Sequence, residues 1–436
     1  MGAMLDAVVI GAGWAGTATT RDLTDRGYSV ALLEASDHVG GRTIGRPFPG
    51  LLNVHADLGG AWINRELQPL MRGEVARYGI ALKQDKPVEN VVFNFDGVSR
   101  TLPVPVEQLG ELDRVMSHLN LLSTRVGPTQ PLTAQTLRDL DVSAAEFFSP
   151  LQISTETFAF VNSFLSMYTG ADLNQGSMLS LVAQTAAFGH SSFGFFTALT
   201  ERFVHGPESL LRAMVKRGRL DVRLSHRVVS VEQSAASVTV RTADGVRVDA
   251  RTCVVAVPTN VIRHIEFTPR LSEMKTDMLS VNHLGGCYKS VILARNLPRQ
   301  PFAVGSGALQ VLCVSAEISD DTYVLIGFGA ESIERIDPAD RDQVQKAVQT
   351  YFPHAEVIAV QAHNWNEDPL FDGTWRLDPA GQALDFLVEM NQPEGRVIFA
   401  GTDIDDSMWR NWMEGALSSA KQAVNVVSDQ LNRDGV

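Results

Sequence analysis

Three glycines, Gly11, Gly13 and Gly16, stand between an apolar run, Leu5–Ile10, and a helical pattern that ends near Arg26. That spacing suits a phosphate. Gly11 permits a tight turn off a strand, Gly13 lets the backbone come close to a pyrophosphate, and Gly16 lets the helix settle on the sheet. The helix N-terminus, where Ala15 lies, adds amide donors and a partial positive charge. A second apolar run, Tyr28–Glu34, ends in an acid placed to accept hydrogen bonds from a ribose 2′-hydroxyl, which also disfavours a 2′-phosphate. The pattern does not choose between FAD and NAD, but its continuation does. Ala35 opens ASDHVGGRT, in which Gly40 and Gly41 bring Arg42, a permanent cation with five donors, beside the phosphates of a longer dinucleotide. FAD is the expected cofactor.

These residues need a scaffold. Leu5–Ile10, the glycine turn, a helix stopped at Gly27 and Tyr28–Glu34 form a β-α-β unit. Val106–Arg125 and Thr155–Gln184 carry apolar residues at three- and four-residue spacings and predict helices. Between Leu220 and Val257 the texture changes to short β-rich runs, with Asp244-Gly245 as a hairpin turn. Val291–Ala294, Val324–Phe328 and Arg396–Ala400 predict further strands, and Trp412–Leu431 an amphipathic helix. No linker divides the chain, so a last strand and helix that complete the first unit make it discontinuous. The fold class expected is α/β. A Rossmann-like FAD-binding domain (1–84, 205–285 and 395–436) carries an inserted α+β substrate-binding domain (85–204 and 286–394).

Composition narrows the partners. The 436 residues, 44 % of them hydrophobic, can bury a large core without disulfide or metal, and no metal site is expected. A net charge of −13 argues against nucleic acid or an anionic membrane as partner. Apolar runs of about seven residues fall short of the roughly 20 needed to span a bilayer. Cys253, Cys287 and Cys313 show no metal spacing and fit reduced thiols, and no basic region precedes the first strand, so a signal peptide is not expected. Cytoplasmic location follows; a homodimer is the macromolecular partnership left open.

Several separated motifs resemble the flavin-containing amine oxidase family, which includes monoamine, polyamine, L-amino acid and bacterial nicotine-type oxidases. They are GAGWAG…LLEASDHVGGRT, DLGGAWI (Asp57–Ile63), VHGPESLLRAM, HRVVSVE, GCYKSV and GRVIFAGTD…WMEGAL, in the family's order over nearly the whole chain. FPGL, EVARYGI and WNEDPLFDGTW are more similar to bacterial 6-hydroxynicotine oxidases. The resemblance implies a GR2-type flavoprotein with Glu34 on the adenosine ribose, Arg42 on the pyrophosphate and Val228 meeting the adenine through its backbone. It places Gly59, Gly60, Ala61 and Trp62 along the flavin ring, Gly401, Thr402 and Asp403 near the ribityl–phosphate portion, and Met413 at the flavin's carbonyl edge. Trp365 matches another tryptophan near the flavin.

Lys289 lies among apolar neighbours, where a lysine is ordinarily a solvated face or an edge guard. The resemblance implies instead that it holds a water at flavin N5. Trp375 and Trp412 occupy the places of two cage tyrosines of monoamine oxidases; two indoles can sandwich an amine or flat ring by stacking and cation–π attraction. Thr374 stands where those enzymes carry the cysteine that bonds the flavin, and none of the three cysteines is expected to lie nearby, so FAD is expected to be non-covalent. The asparagine of the 6-hydroxynicotine oxidases aligns with Met167, with Asn162 offset, and Met167 is the substrate-pocket candidate. The activity implied is hydride removal from the carbon alpha to an amine, giving an imine that hydrolyses, with O₂ reoxidising the flavin to yield H₂O₂. A carbon–carbon desaturase, a dehydrogenase with another electron acceptor, and a non-catalytic binding protein remain alternatives.

Overall fold

The computed structural model describes residues 4–51, 54–197 and 200–434. An eight-stranded sheet collects strands from distant parts of the chain. Its order is Asp221–Arg223, Val30–Leu33, Leu5–Ile10, Arg247–Val255, Val238–Thr242, Val228–Gln233 and Glu266–Thr268, with Val397–Phe399 also beside Arg247–Val255. Leu5–Ile10 runs parallel to both neighbours, with Val9 opposite Leu32 and Val254. Strands so placed are covered on both faces, which explains why residues 7–10 and Val30–Leu33 are continuously apolar rather than alternating. Ala7 and Val9 join a core with helices Trp14–Asp25, Glu208–Gly218 and Met413–Asp434, whereas Val8 and Ile10 join a second core with Val231, Val240 and Phe386.

A seven-stranded sheet follows the order Glu356–Ala362, Cys287–Arg295, Thr322–Ala330, Val311–Ser319, Pro301–Gly305, Asn90–Phe95 and Val98–Arg100. Helices Leu109–Ser123, Thr155–Thr169 and Leu179–Ala187 share a core with this sheet through Phe93, Phe160, Phe164 and Ile326.

Most expected elements are present, with shifted limits. The helix expected over 106–125 begins as a short 3-10 turn, Val106–Gln108, before Leu109–Ser123. The one expected over 155–184 is two helices. Ser154 caps the first by accepting from the Thr157 N–H, and Gly170 ends it at φ +93°. Gly245, at φ +87°, makes the expected hairpin turn.

Candidate active site

One long cavity joins the glycine turn to the helical core. It is lined by every candidate residue named from the sequence except Gly16. Gly16 lies behind the wall: a Cβ there would stand 1.9 Å from the Gly11 carbonyl oxygen, so its lack of a side chain sets how closely helix and strand approach. Gly11 turns at φ +99°. Gly13 and Gly41 face each other, and a Cβ on Gly41 would come within 3.1 Å of Gly13 Cα. Helix Trp14–Asp25 has Gly13 as N-cap and no capping side chain, so its first amides, including that of Ala15, are left for a ligand. At this end Glu34 Oε2 accepts from the Ala12 N–H at 2.6 Å, and Oε1 from the Ser36 N–H and hydroxyl at 2.8 Å, which fixes the carboxylate in the wall. Ala35 and Val228 line the same end, with His226 and Arg227.

Further along, Arg42 donates to the Thr374 carbonyl and, at 2.7 Å, to Asp403 Oδ1. Burial works to raise the Asp403 carboxyl, but the Arg42 charge and the Thr259 N–H hold it down at about 2. Asp403 stays ionised and aims the guanidinium. Gly401 reaches φ +147° with open space where a side chain would be, and a second helix, Met413–Asp434, starts at the cavity. Glu414 turns away to cap another helix through the Leu70 and Met71 N–H groups. Uncapped amides, a half-open guanidinium, close glycine backbones and a fixed carboxylate together suit a dinucleotide with two anionic phosphates. The residues present fit FAD.

Segment 58–62 crosses the middle. A Cβ on Gly59 would meet the Arg42 carbonyl oxygen at 2.0 Å, the Gly60 N–H donates to that same oxygen, and Trp365 Nε1 donates to Leu58 O at 3.0 Å. Ala61 and Trp62 follow as buried residues, with Trp62 Nε1 donating to Asp85 at 2.9 Å. Lys289 is 4 % exposed in a strand paired on both sides, so it is neither a solvated face nor an edge guard. Its Nζ donates to Gly59 O at 2.8 Å and sits 5.1 Å from the Trp62 ring centre and 5.7 Å from that of Phe328. Burial depresses its pKa from 10.5 to about 8; Asp57 opposes this and Arg202 adds to it.

The far end is apolar. Met167, Trp375 and Trp412 line it, together with Tyr168, Phe328 and Leu370, which no motif or spacing singles out. Trp412 is braced edge-on by Phe188 at 5.5 Å and Trp409 at 6.0 Å. Asn162 is not in the lining; its Oδ1 accepts from the Leu173 N–H at 2.8 Å. One expectation is overturned. Cys287, remote from Thr374 in sequence, is its neighbour in space: the Cys287 N–H donates to Thr374 Oγ1 at 3.2 Å, and Cys287 lines the cavity. Burial keeps that thiol protonated, and its Sγ faces Ser166 O. The carboxylates in the lining, Glu34 and Asp403, are both engaged as described. Among the described residues there is no cluster that could hold a metal ion and no helix long and apolar enough to cross a membrane.

Fold and cavity together define a dinucleotide-binding oxidoreductase of the α/β class. The model of the flavin containing amine oxidoreductase family matches residues 14–428, and the chain belongs to that family. It is 30 % identical to (S)-6-hydroxynicotine oxidase of Paenarthrobacter nicotinovorans over 97 % of this chain and 99 % of that protein. It is 22 % identical to human flavin-containing amine oxidase B, over 98 % and 87 % of the two chains. Its fold is similar to that of putrescine oxidase bound to putrescine (TM-score 0.86, 21 % identity, 98 % and 99 % covered). It is also similar to that of cyclohexylamine oxidase from Brevibacterium oxydans (TM-score 0.83, 20 % identity, 99 % and 100 % covered). The protein is an FAD-dependent amine oxidoreductase.

Proposed function

We propose that this enzyme oxidises an amine with a single charged nitrogen and an apolar or aromatic body, with O₂ as electron acceptor and FAD held non-covalently. The observation that carries this reading is the apolar end of the cavity. Few polar groups face it: Tyr168 OH donates to Phe195 O, Thr374 Oγ1 accepts from the Cys287 N–H and Lys289 donates to Gly59 O, while the buried Trp375 Nε1–H has no partner among the described residues. Among the described residues no carboxylate faces that end to neutralise a second ammonium, and burying an unpaired charge is costly. The ring-bearing amines in the names of two relatives, hydroxynicotine and cyclohexylamine, agree with this.

When bound, FAD supplies acceptance of the hydride from the carbon alpha to nitrogen, and passage of the electrons to O₂ as H₂O₂. The chain does the rest. Trp375 and Trp412 orient the amine by their ring faces, Met167 limits the pocket, and the apolar walls exclude water, which favours loss of the ammonium proton. Lys289 is the cation beside the reacting centre and orders a water there. Glu34 and Val228 hold the adenosine, Arg42 the pyrophosphate, and Thr402, Asp403 and Met413 the remaining cofactor, in a unit formed by 1–84, 205–285 and 395–436. Thr374 has no thiol to bond the flavin, and the protonated Cys287 is turned to Ser166 O. The free cysteines support a reducing compartment, the cytoplasm; a homodimer is the assembly to test by light scattering.

The test is an anaerobic screen that follows flavin absorbance with an arylalkylamine, a nicotine-like amine, putrescine and an amino acid. The first two should bleach the flavin. If no amine does, amine oxidation in this form is wrong; if putrescine reacts fastest, the single-charge reading is wrong.

A further inference from the structure

Asn411 precedes Trp412 in the chain, and Arg376 follows Trp375. The Asn411 side chain joins the two segments: Nδ2 donates to Arg376 O at 2.7 Å, and Oδ1 accepts from the Arg376 N–H at 3.2 Å. One amide thus engages both main-chain groups of the same residue, as a neighbouring strand would. Its backbone stands at φ +71°, a left-handed conformation that side chains ordinarily avoid and that asparagine tolerates better than most. Glycine would adopt it with less strain, so what asparagine adds is the pair of hydrogen bonds. The arrangement is anchored on the other side as well. The Asn411 N–H donates to Thr402 O at 3.3 Å, and Thr402 Oγ1 donates to Trp412 O at 2.8 Å.

A separate set of contacts holds the surrounding loops. Buried Asp378 receives Arg376 Nε on one oxygen and, at 2.6 Å, Arg410 Nη1 on the other, while Arg410 also donates to Asp403 O. That triad fixes where the two segments lie. Asn411 fixes their register, and therefore the spacing of the indoles that project one residue to either side of the clasp.

We infer that Asn411 is a positioning residue that sets the distance and tilt between Trp375 and Trp412, and through them the width of the slot that receives the substrate's apolar body. It acts through the tryptophans and not on the reacting atoms. The role in substrate binding rests on the function proposed above, but the clasp itself does not.

Two arms of one experiment separate these. In the first, Asn411→Gly in the FAD-loaded enzyme is compared with wild type by hydrogen exchange and mass spectrometry. The amide of Arg376 should exchange at least about tenfold faster while peptides from the glycine turn are unchanged, because only its partner is lost. Equal exchange at Arg376 would overturn the clasp whatever the substrate. In the second, anaerobic reduction by benzylamine, or by the amine that reduces the enzyme in the screen, is measured for Asn411→Gly, Trp412→Ala and the double variant. The single change at Asn411 should raise the amine's Kd about tenfold with FAD content retained, and in the Trp412→Ala background it should add less than about twofold. Additive effects would overturn action through the tryptophans. If no amine reduces the enzyme, the proposed function fails while the exchange arm still decides the clasp. Asn411→Asp keeps the acceptor and loses the donor, and should fall between wild type and glycine in both arms.

Discussion

Replacing Lys289 by methionine removes a cation from a buried wall while keeping a side chain of similar length. Burial depresses the lysine from 10.5 to about 8. At 1.36 kcal/mol per pH unit, this is about 3 kcal/mol held against the folded state whenever folded and unfolded chains both carry the proton. The folded protein gives up that proton first. Between pH 8 and 10.5 the unfolded chain therefore binds more protons, and wild-type stability rises relative to a variant that cannot titrate. Below pH 8 the penalty is present in full. The stability difference, wild type minus Lys289→Met, should climb by about 3 kcal/mol from pH 7 to the upper end of that window. Loss of the bond to Gly59 O sets the offset between the two curves rather than their slope. Urea unfolding of FAD-saturated enzyme, followed by far-ultraviolet circular dichroism at several pH values, measures it, and other titrating groups cancel in the difference. The same ionisation should appear near pH 8 in the wild-type profile of flavin reoxidation and vanish in the variant. A difference that stays flat with pH would refute the depressed lysine, and with it the burial of its ammonium in the cavity wall.

Gly16→Ala should destabilise the enzyme by about 1–3 kcal/mol and yield a poorly flavinated product, read as melting temperature and the 450 nm to 280 nm absorbance ratio, because its methyl has nowhere to go beside Gly11 O. Arg42→Gln should weaken FAD binding at least tenfold in a fluorescence titration of apoprotein, since it leaves Asp403 buried without its counter-charge. Trp412→Ala should keep FAD and raise the amine's Kd about tenfold in stopped-flow reduction. Wild-type enzyme unfolded in urea and passed through a membrane should release all of its flavin into the filtrate; flavin retained on the chain would overturn non-covalent binding.

What the residues alone made legible was local. A glycine turn off an apolar strand, an uncapped helix and an acid at the end of the next strand are backbone requirements met within one β-α-β unit, so Gly11, Gly13, Gly16 and Glu34 could be read directly from their spacing. The hairpins near 220–257 were legible for the same reason. The second sheet was mostly not. Asn90–Phe95 pairs in parallel with Pro301–Gly305, about two hundred residues away, and neither run carries a turn or periodicity that announces it. Nor could spacing show that Arg42 meets Asp403 across 361 positions, or that Cys287 lies against Thr374.

The sequence by itself determined the cofactor, because phosphate binding by a chain rests on short-range backbone geometry that particular residue types must permit. Only the tertiary structure decided where Lys289, Trp375 and Trp412 lie. A lysine between apolar residues reads as surface until a second strand, the Trp62 ring and the Gly59 carbonyl enclose it. Two tryptophans far apart in sequence become the walls of one pocket only when an asparagine and a buried ion triad fix the segments that bear them. Burial and register arise from contacts between distant residues, and those are the quantities on which the chemistry at the apolar end depends.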